Sequence, residues 1–218
     1  MVSGAAPQPT APTIADSCGH GETPAVVTAA YRRALTAALT INATMFVVEM
    51  TAGLLGKSVA LQADAVDFLG DSATYAITLL VLGMSIRWRA GSAILKGLSM
   101  GGFGLWVIGM SVYHLLMGSL PSAAIMGGTG LLALIANLAS AAILYRHRFG
   151  DSNMRSVWLC TRNDAIANIA VIVAASGVWA SATAWPDLAV GAVMATLALS
   201  SAVAVLRQAS GELRAAAG

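Results

Sequence analysis

From Ala34 to Met84 the chain reads ALTAALTINATMFVVEMTAGLLGKSVALQADAVDFLGDSATYAITLLVLGM. Two apolar runs are separated by one short break, Gly56-Lys57-Ser58. A helix that crosses a bilayer needs about 20 mostly apolar residues. Backbone groups inside lipid must be satisfied within their own segment, which selects helices over loops. The stretch therefore predicts a helical hairpin with spans near Ala34–Leu55 and Val59–Met84. Four acidic residues, Glu49, Asp64, Asp67 and Asp71, fall inside these apolar runs.

Outward from the hairpin, four more runs qualify: Ala93–Met117, Ser122–Tyr145, Val157–Ala180 and Leu188–Leu206. Arg87–Arg89, Gly118-Ser-Leu-Pro121, Arg146–Arg155 and Trp185-Pro-Asp187 break them at membrane intervals. Apolar–polar alternation is absent, which argues against a β-barrel. The expected fold class is an all-α membrane protein, a six-transmembrane-helix bundle. Composition agrees: 57% of the 218 residues are hydrophobic and 10% are charged, against about 25% charged in soluble domains. A net charge of +2 gives no reason to expect nucleic-acid binding.

Arg32, Arg33, Arg87, Arg89, Lys96, Arg146, Arg148, Arg155, Arg207 and Arg214 all fall on one side of a six-span arrangement, and only Lys57 falls on the other. By the positive-inside rule both termini face the cytoplasm, and the plasma (inner) membrane is the expected location. Residues 1–30 read as a flexible cytoplasmic tail with no signal-peptide pattern, 31–208 as the helical domain, and 209–218 as a short C-terminal tail. Cys18 and Cys160 suggest no disulfide framework. Glycines such as Gly97, Gly101, Gly102 and Gly104 read as helix-packing positions. Cys18, His20 and Glu22 form a small cluster in the tail.

The chemistry lies in five acids at membrane depth: Glu49, Asp64, Asp67, Asp71 and Asp164. A carboxylate at the bilayer centre costs at least about 2.5–3.5 kcal/mol on insertion scales, so such residues face a cavity, an ion or one another. Asp64, Asp67 and Asp71 stand at i, i+3 and i+7 on one face of the second helix. Three like charges on one stripe need protons or a cation among them. On the fifth helix Cys160 and Asp164 are four residues apart, as Asp67 and Asp71 are on the second. Two helices each offering such a pair can close a four-ligand tetrahedral site of the kind Zn²⁺ takes. Other readings stand beside this one. Asp64 reads equally as an inter-helix hydrogen-bonding group, and Glu49 as a partner for Arg162 or a hydroxyl. Asn42 and Asn137 read as inter-helix glue.

Asn42-Ala-Thr-Met-Phe-Val-Val-Glu49-Met-Thr-Ala-Gly53, followed by Ser58-Val-Ala-Leu-Gln-Ala-Asp64-Ala and the Asp67/Asp71 pair, resembles the first two helices of the cation diffusion facilitators. Val157-Trp-Leu-Cys-Thr-Arg-Asn-Asp164 resembles their fifth-helix segment, with Cys160 where His usually stands, and Trp185-Pro-Asp-Leu resembles the turn before their sixth helix. The resemblance covers roughly residues 34–206. It implies a transporter, not an enzyme, that exports Zn²⁺ or a related divalent ion in exchange for protons, with a homodimer among the expected assemblies. The family's ferredoxin-like domain is not expected in the few residues after Leu206.

The expected metal ligands are Asp67, Asp71, Cys160 and Asp164, with Asp64, Asn163, Asn168 and Glu49 as groups that orient them. Carboxylates suit harder ions and a thiolate softer ones, which puts Zn²⁺ or Cd²⁺ first, with Co²⁺, Fe²⁺ and Ni²⁺ behind. The ion is cargo, and no resident cofactor is expected. Two alternatives from other classes are a proton-coupled exporter of organic cations, using the acidic stripe as counter-charge, and a membrane-embedded enzyme. The second lacks a His paired with the acids.

Overall fold

The computed structural model describes residues 29–80, 86–146 and 152–215. Among them every regular element is a helix: α1 (Ala29–Leu55), α2 (Val59–Leu80), α3 (Ile86–Met117), α4 (Ala123–Tyr145), α5 (Ser152–Ser181) and α6 (Trp185–Ala215). The six-helix expectation holds. Several helices outrun the apolar spans read from the sequence, since α3 starts at Ile86, α5 at Ser152 and α6 ends at Ala215. Helix and span differ because hydrogen bonding continues past the lipid boundary once the backbone is helical. The Cys18/His20/Glu22 cluster lies outside the described residues.

Helices α1, α3, α4, α5 and α6 each contain a stretch long and apolar enough to cross a membrane. Helix α2 carries Asp64, Asp67 and Asp71 and is the exception in composition. Its position explains how it survives: α2 touches all five other helices. Bilayer lipid therefore meets chiefly its neighbours, and large apolar side chains such as Leu116 (76% exposed) and Trp179 (82%) point outward. The interior holds polar groups instead, with Asn42, Glu49, Gln62, Asp64, Asn137, Ser140 and Asn168 all buried. This is an integral membrane protein with its polar side turned in.

The head of α2 is built by three helices. A helix N-terminus leaves its first N–H groups without partners. Here Ser58 Oγ accepts from Leu61 N at 3.1 Å, while Asp187 at the start of α6 accepts from Val59 N at 2.8 Å and Ala60 N at 3.1 Å. The Ser58 hydroxyl in turn donates to Asp187 Oδ1 at 2.6 Å. A carboxylate from another helix thus sits on the positive end of the α2 dipole. Close approach makes this geometry available. A Cβ on Gly191 of α6 would lie 2.7 Å from Val59 Cγ1, and one on Gly53 of α1 would lie 2.9 Å from Gln62 Cγ. The turn is also tied to α4, because Ser122 N donates to Gly56 O at 2.9 Å.

The remaining contacts fill in around α2. Tyr31, Leu35, Tyr75 and Leu144 form an apolar cluster joining α1, α2 and α4, while Leu61, Met126, Val171 and Val178 form another joining α2, α4 and α5. Of the α3 glycines picked out by sequence, Gly97 faces Leu206 and Gly104 faces Leu199, both on α6, and Gly101 lies against Ala202. Gly102 has open space where its Cβ would be, so packing explains three of the four.

Candidate metal centre

Helix α2 presents its acids in two directions rather than one. Asp64 and Glu49 are buried, at 1% and 0% exposure, whereas Asp67, Asp71 and Asp164 are half-buried. Asp67 and Asp71 face α5, where the Asp164 carboxyl adjoins both of them. Oδ2 of Asp164 is buried without a hydrogen-bond partner. Carboxyl groups from two separate helices therefore meet inside the bundle, and an uncompensated charge there is costly. The Tyr75 hydroxyl, one turn further along α2, donates to Asp71 Oδ2 at 2.8 Å and fixes the orientation of that carboxyl.

Cys160, Arg162 and Asn163 fall on the first part of α5, where side chains lie outside the described residues. Among the described residues no group of three or more His, Cys, Asp or Glu side chains is arranged to hold a metal ion. The described carboxyls are brought together without forming a finished coordination shell.

Glu49 and Asp64 belong to a second polar layer. Glu49 on α1 faces Asp64, with Asp67 beyond it. With the Asn168 amide nitrogen turned toward Asp64, Asn168 donates to both Asp64 oxygens and its own oxygen accepts from Asn137 Nδ2 at 2.8 Å. Asn42 extends the polar layer between α1 and α4: its Nδ2 donates to Ala38 O at 2.9 Å and reaches Ser140 Oγ at 3.4 Å. The layer ties α1, α2, α4 and α5 through side chains, in line with polar residues bridging membrane helices. Asn168 thus contacts Asp64 directly, and the inter-helix roles expected of Asn42 and Asn137 are found.

Sequence reasoning missed four contributors. Tyr75 and Thr74 look like ordinary helix residues until their spacing from Asp71, at i+4 and i+3, is considered. Lys96 reads in the sequence as a boundary charge, yet its Nζ donates to Thr74 Oγ1 on α2. Gln62, beside Asp64, accepts from Trp106 Nε1 at 3.2 Å and donates to Ser58 O at 3.1 Å, which locks the first turn of α2 against α3.

A helical membrane bundle whose central helix brings acids to a meeting point with a neighbour is the build of a cation-conducting or cation-transporting domain. The family model for the cation efflux transmembrane domain matches residues 35–213, and the chain belongs to that family, which is one of transporters rather than enzymes. It is similar to the metal cation efflux system protein CzcD of Cupriavidus metallidurans and to the cation efflux system protein CzcD of an Alcaligenes species. Each is 24% identical over 174 residues, covering 74% of this chain and 55% of the relative. The chain spans about half the length of the curated relatives it matches.

Proposed function

We propose that this protein exports a divalent metal cation from the cytoplasm across the plasma membrane in exchange for protons, with Zn²⁺ or Cd²⁺ as the first cargo and Co²⁺, Fe²⁺ or Ni²⁺ behind them. The observation that carries the reading is the meeting of Asp67 and Asp71 on α2 with Asp164 on α5. Membership of the cation efflux family supports it, as do the names of the two relatives.

In this reading Asp67, Asp71, Asp164 and Cys160 are the ligands. Cys160 stands four residues before Asp164 in the sequence, the spacing of one helical turn. Its thiolate completes a set that softer divalent ions favour. Ligands must be deprotonated to bind, so metal and protons compete for one set of groups. Metal enters from the cytoplasmic side. The bundle then rocks to expose the site outward, as in alternating access generally, and external protons displace the ion and return on the carboxylates. Glu49, Asp64, Asn163 and Asn168 are the groups that orient these ligands. Both termini are cytoplasmic, following the one-sided distribution of arginines.

The test is uptake into inverted membrane vesicles across a panel of Zn²⁺, Cd²⁺, Co²⁺, Fe²⁺ and Ni²⁺, with a pH gradient imposed and then collapsed. Metal uptake that rises with the gradient is the expected result. Export of organic dyes without movement of any panel metal overturns the proposal.

A further inference from the structure

Helix α3 places a lysine against the acidic stripe of α2. Asp67, Asp71 and Thr74 stand at i, i+4 and i+7, which puts all three on one face. Lys96 Nζ donates to the Thr74 hydroxyl at the end of that face. Thr74 spends its own proton on Gly70 O at 2.9 Å, so its oxygen is free to receive the ammonium. The two helices are close here: a Cβ on Gly70 would lie 3.0 Å from Met100 Cε, and Met100 is one turn beyond Lys96. The Lys96 charge acts on Asp71 first and on Asp67 next.

Lys96 stands within the first two turns of the apolar span of α3, which begins near Ala90, and a charge turned into the bundle there needs a partner. Among the described residues its hydrogen bond goes to the Thr74 hydroxyl rather than to a carboxylate. An ammonium is a compact charge on a flexible stem with rotatable donors. Such a group can compensate a carboxylate without being locked to it.

We infer that Lys96 is a tethered counter-cation for the Asp67–Asp71 stripe: it balances these carboxylates while no ion is bound, and its charge opposes the incoming metal, so that it limits how tightly the ion is held and hastens its release. This rests on the metal-export reading above. Without Lys96 the empty site is under-compensated and binds its cation more strongly. With Lys96 the loaded site carries a positive neighbour that favours discharge. The residue therefore trades affinity for turnover.

The experiment compares wild type, Lys96→Met, Lys96→Gln and Lys96→Arg in proteoliposomes, measuring initial rates of Zn²⁺, Cd²⁺ and Co²⁺ transport against concentration. Assembly is read first by size-exclusion chromatography. The neutral variants are expected to lower the apparent KM by at least about tenfold, the scale of removing one charge a few ångströms from a divalent ion. They also lower kcat, while Lys96→Arg stays within about threefold of wild type on both. A merely structural lysine would lower kcat without tightening KM. Neutral variants with unchanged or raised KM overturn the inference, as does Lys96→Arg behaving like Lys96→Met. If neither neutral variant assembles, Lys96 is a brace and the inference is wrong. A wild type that moves neither these three ions nor Fe²⁺ or Ni²⁺ overturns the transport reading, and this inference with it. A wild type that transports them while the neutral variants keep its KM overturns the role of Lys96 alone.

Discussion

The Tyr75 hydroxyl donates to Asp71 Oδ2 at 2.8 Å across one turn of α2. That bond holds one oxygen of the Asp71 carboxyl on the α2 side. Tyr75→Phe removes the donor while keeping the ring, which is 1% exposed and packed against Tyr31 and Leu144. Hydrogen bonds to charged groups are worth about 1.5–3 kcal/mol, but Asp71 is half-buried, so a lower figure near 1 kcal/mol applies. The expected outcome is a three- to tenfold fall in kcat/KM for metal uptake, at about 1 kcal/mol per 5-fold, with normal assembly. Unchanged kinetics would show that Asp71 is oriented by something else.

Asp71→Ala and Asp164→Ala remove carboxyls from the two helices that meet. Each is expected to abolish metal transport in vesicles while the protein still reaches the membrane, since losing a buried acid lowers the cost of insertion. Normal transport by both variants would end the metal-centre reading. Cys160→Ser tests the fourth ligand separately. It should depress Cd²⁺ and Zn²⁺ transport more than Co²⁺ transport, because a hydroxyl is the harder donor. Equal losses for all three ions would place Cys160 outside the coordination set.

The cap on α2 predicts a stability effect far from the acids. Asp187→Ala leaves Val59 N, Ala60 N and the Ser58 hydroxyl without their acceptor. Loss of a helix cap costs about 0.5–2 kcal/mol, and loss of a charged acceptor raises this to about 3 kcal/mol. The thermal-unfolding midpoint in detergent should fall by several degrees, and Asp187→Asn, which keeps an acceptor oxygen, should fall less. A midpoint unmoved by Asp187→Ala would mean that water replaces the carboxylate there.

Glycine positions separate packing from mere composition. Gly191→Ala places a methyl 2.7 Å from Val59 Cγ1 and 3.0 Å from the Val59 carbonyl carbon, so α2 and α6 must part. Gly102→Ala meets nothing within 4 Å. The first should lower the unfolding midpoint, and the second should leave it unchanged or raise it slightly, because alanine is the better helix former by about 1 kcal/mol. Equal midpoints for the two would contradict the close α2–α6 approach.

The helices were legible in the sequence because lipid imposes a length and a composition that few segments satisfy by accident. The acids were legible for the same reason: Glu49, Asp64, Asp67, Asp71 and Asp164 are expensive where they stand. Their grouping was only half legible. The i, i+3, i+7 spacing put Asp64, Asp67 and Asp71 on one stripe, but a stripe seen along one helix does not say which neighbour each residue meets. Asp64 turned out to face Asn168 and Glu49, whereas Asp67 and Asp71 face Asp164. Lys96 was the harder case, because a single lysine near a helix end reads as a boundary charge unless the partner helix is known. Asp187 was hidden similarly, since its partners lie about 130 positions earlier in the chain.

The acidity of α2 has a bearing on how the protein is made. A segment with three aspartates gains little from entering hydrocarbon alone, so it is best delivered as a hairpin with α1, to which only a short turn joins it. Its N-terminal amides then wait for Asp187, which belongs to α6, the last of these six helices to leave the ribosome. Biogenesis of the bundle is thus closed by its latest-synthesised helix: until α6 arrives, the central rod has an open head, and a nascent chain stalled short of α6 presents membrane quality control with a bare helix end.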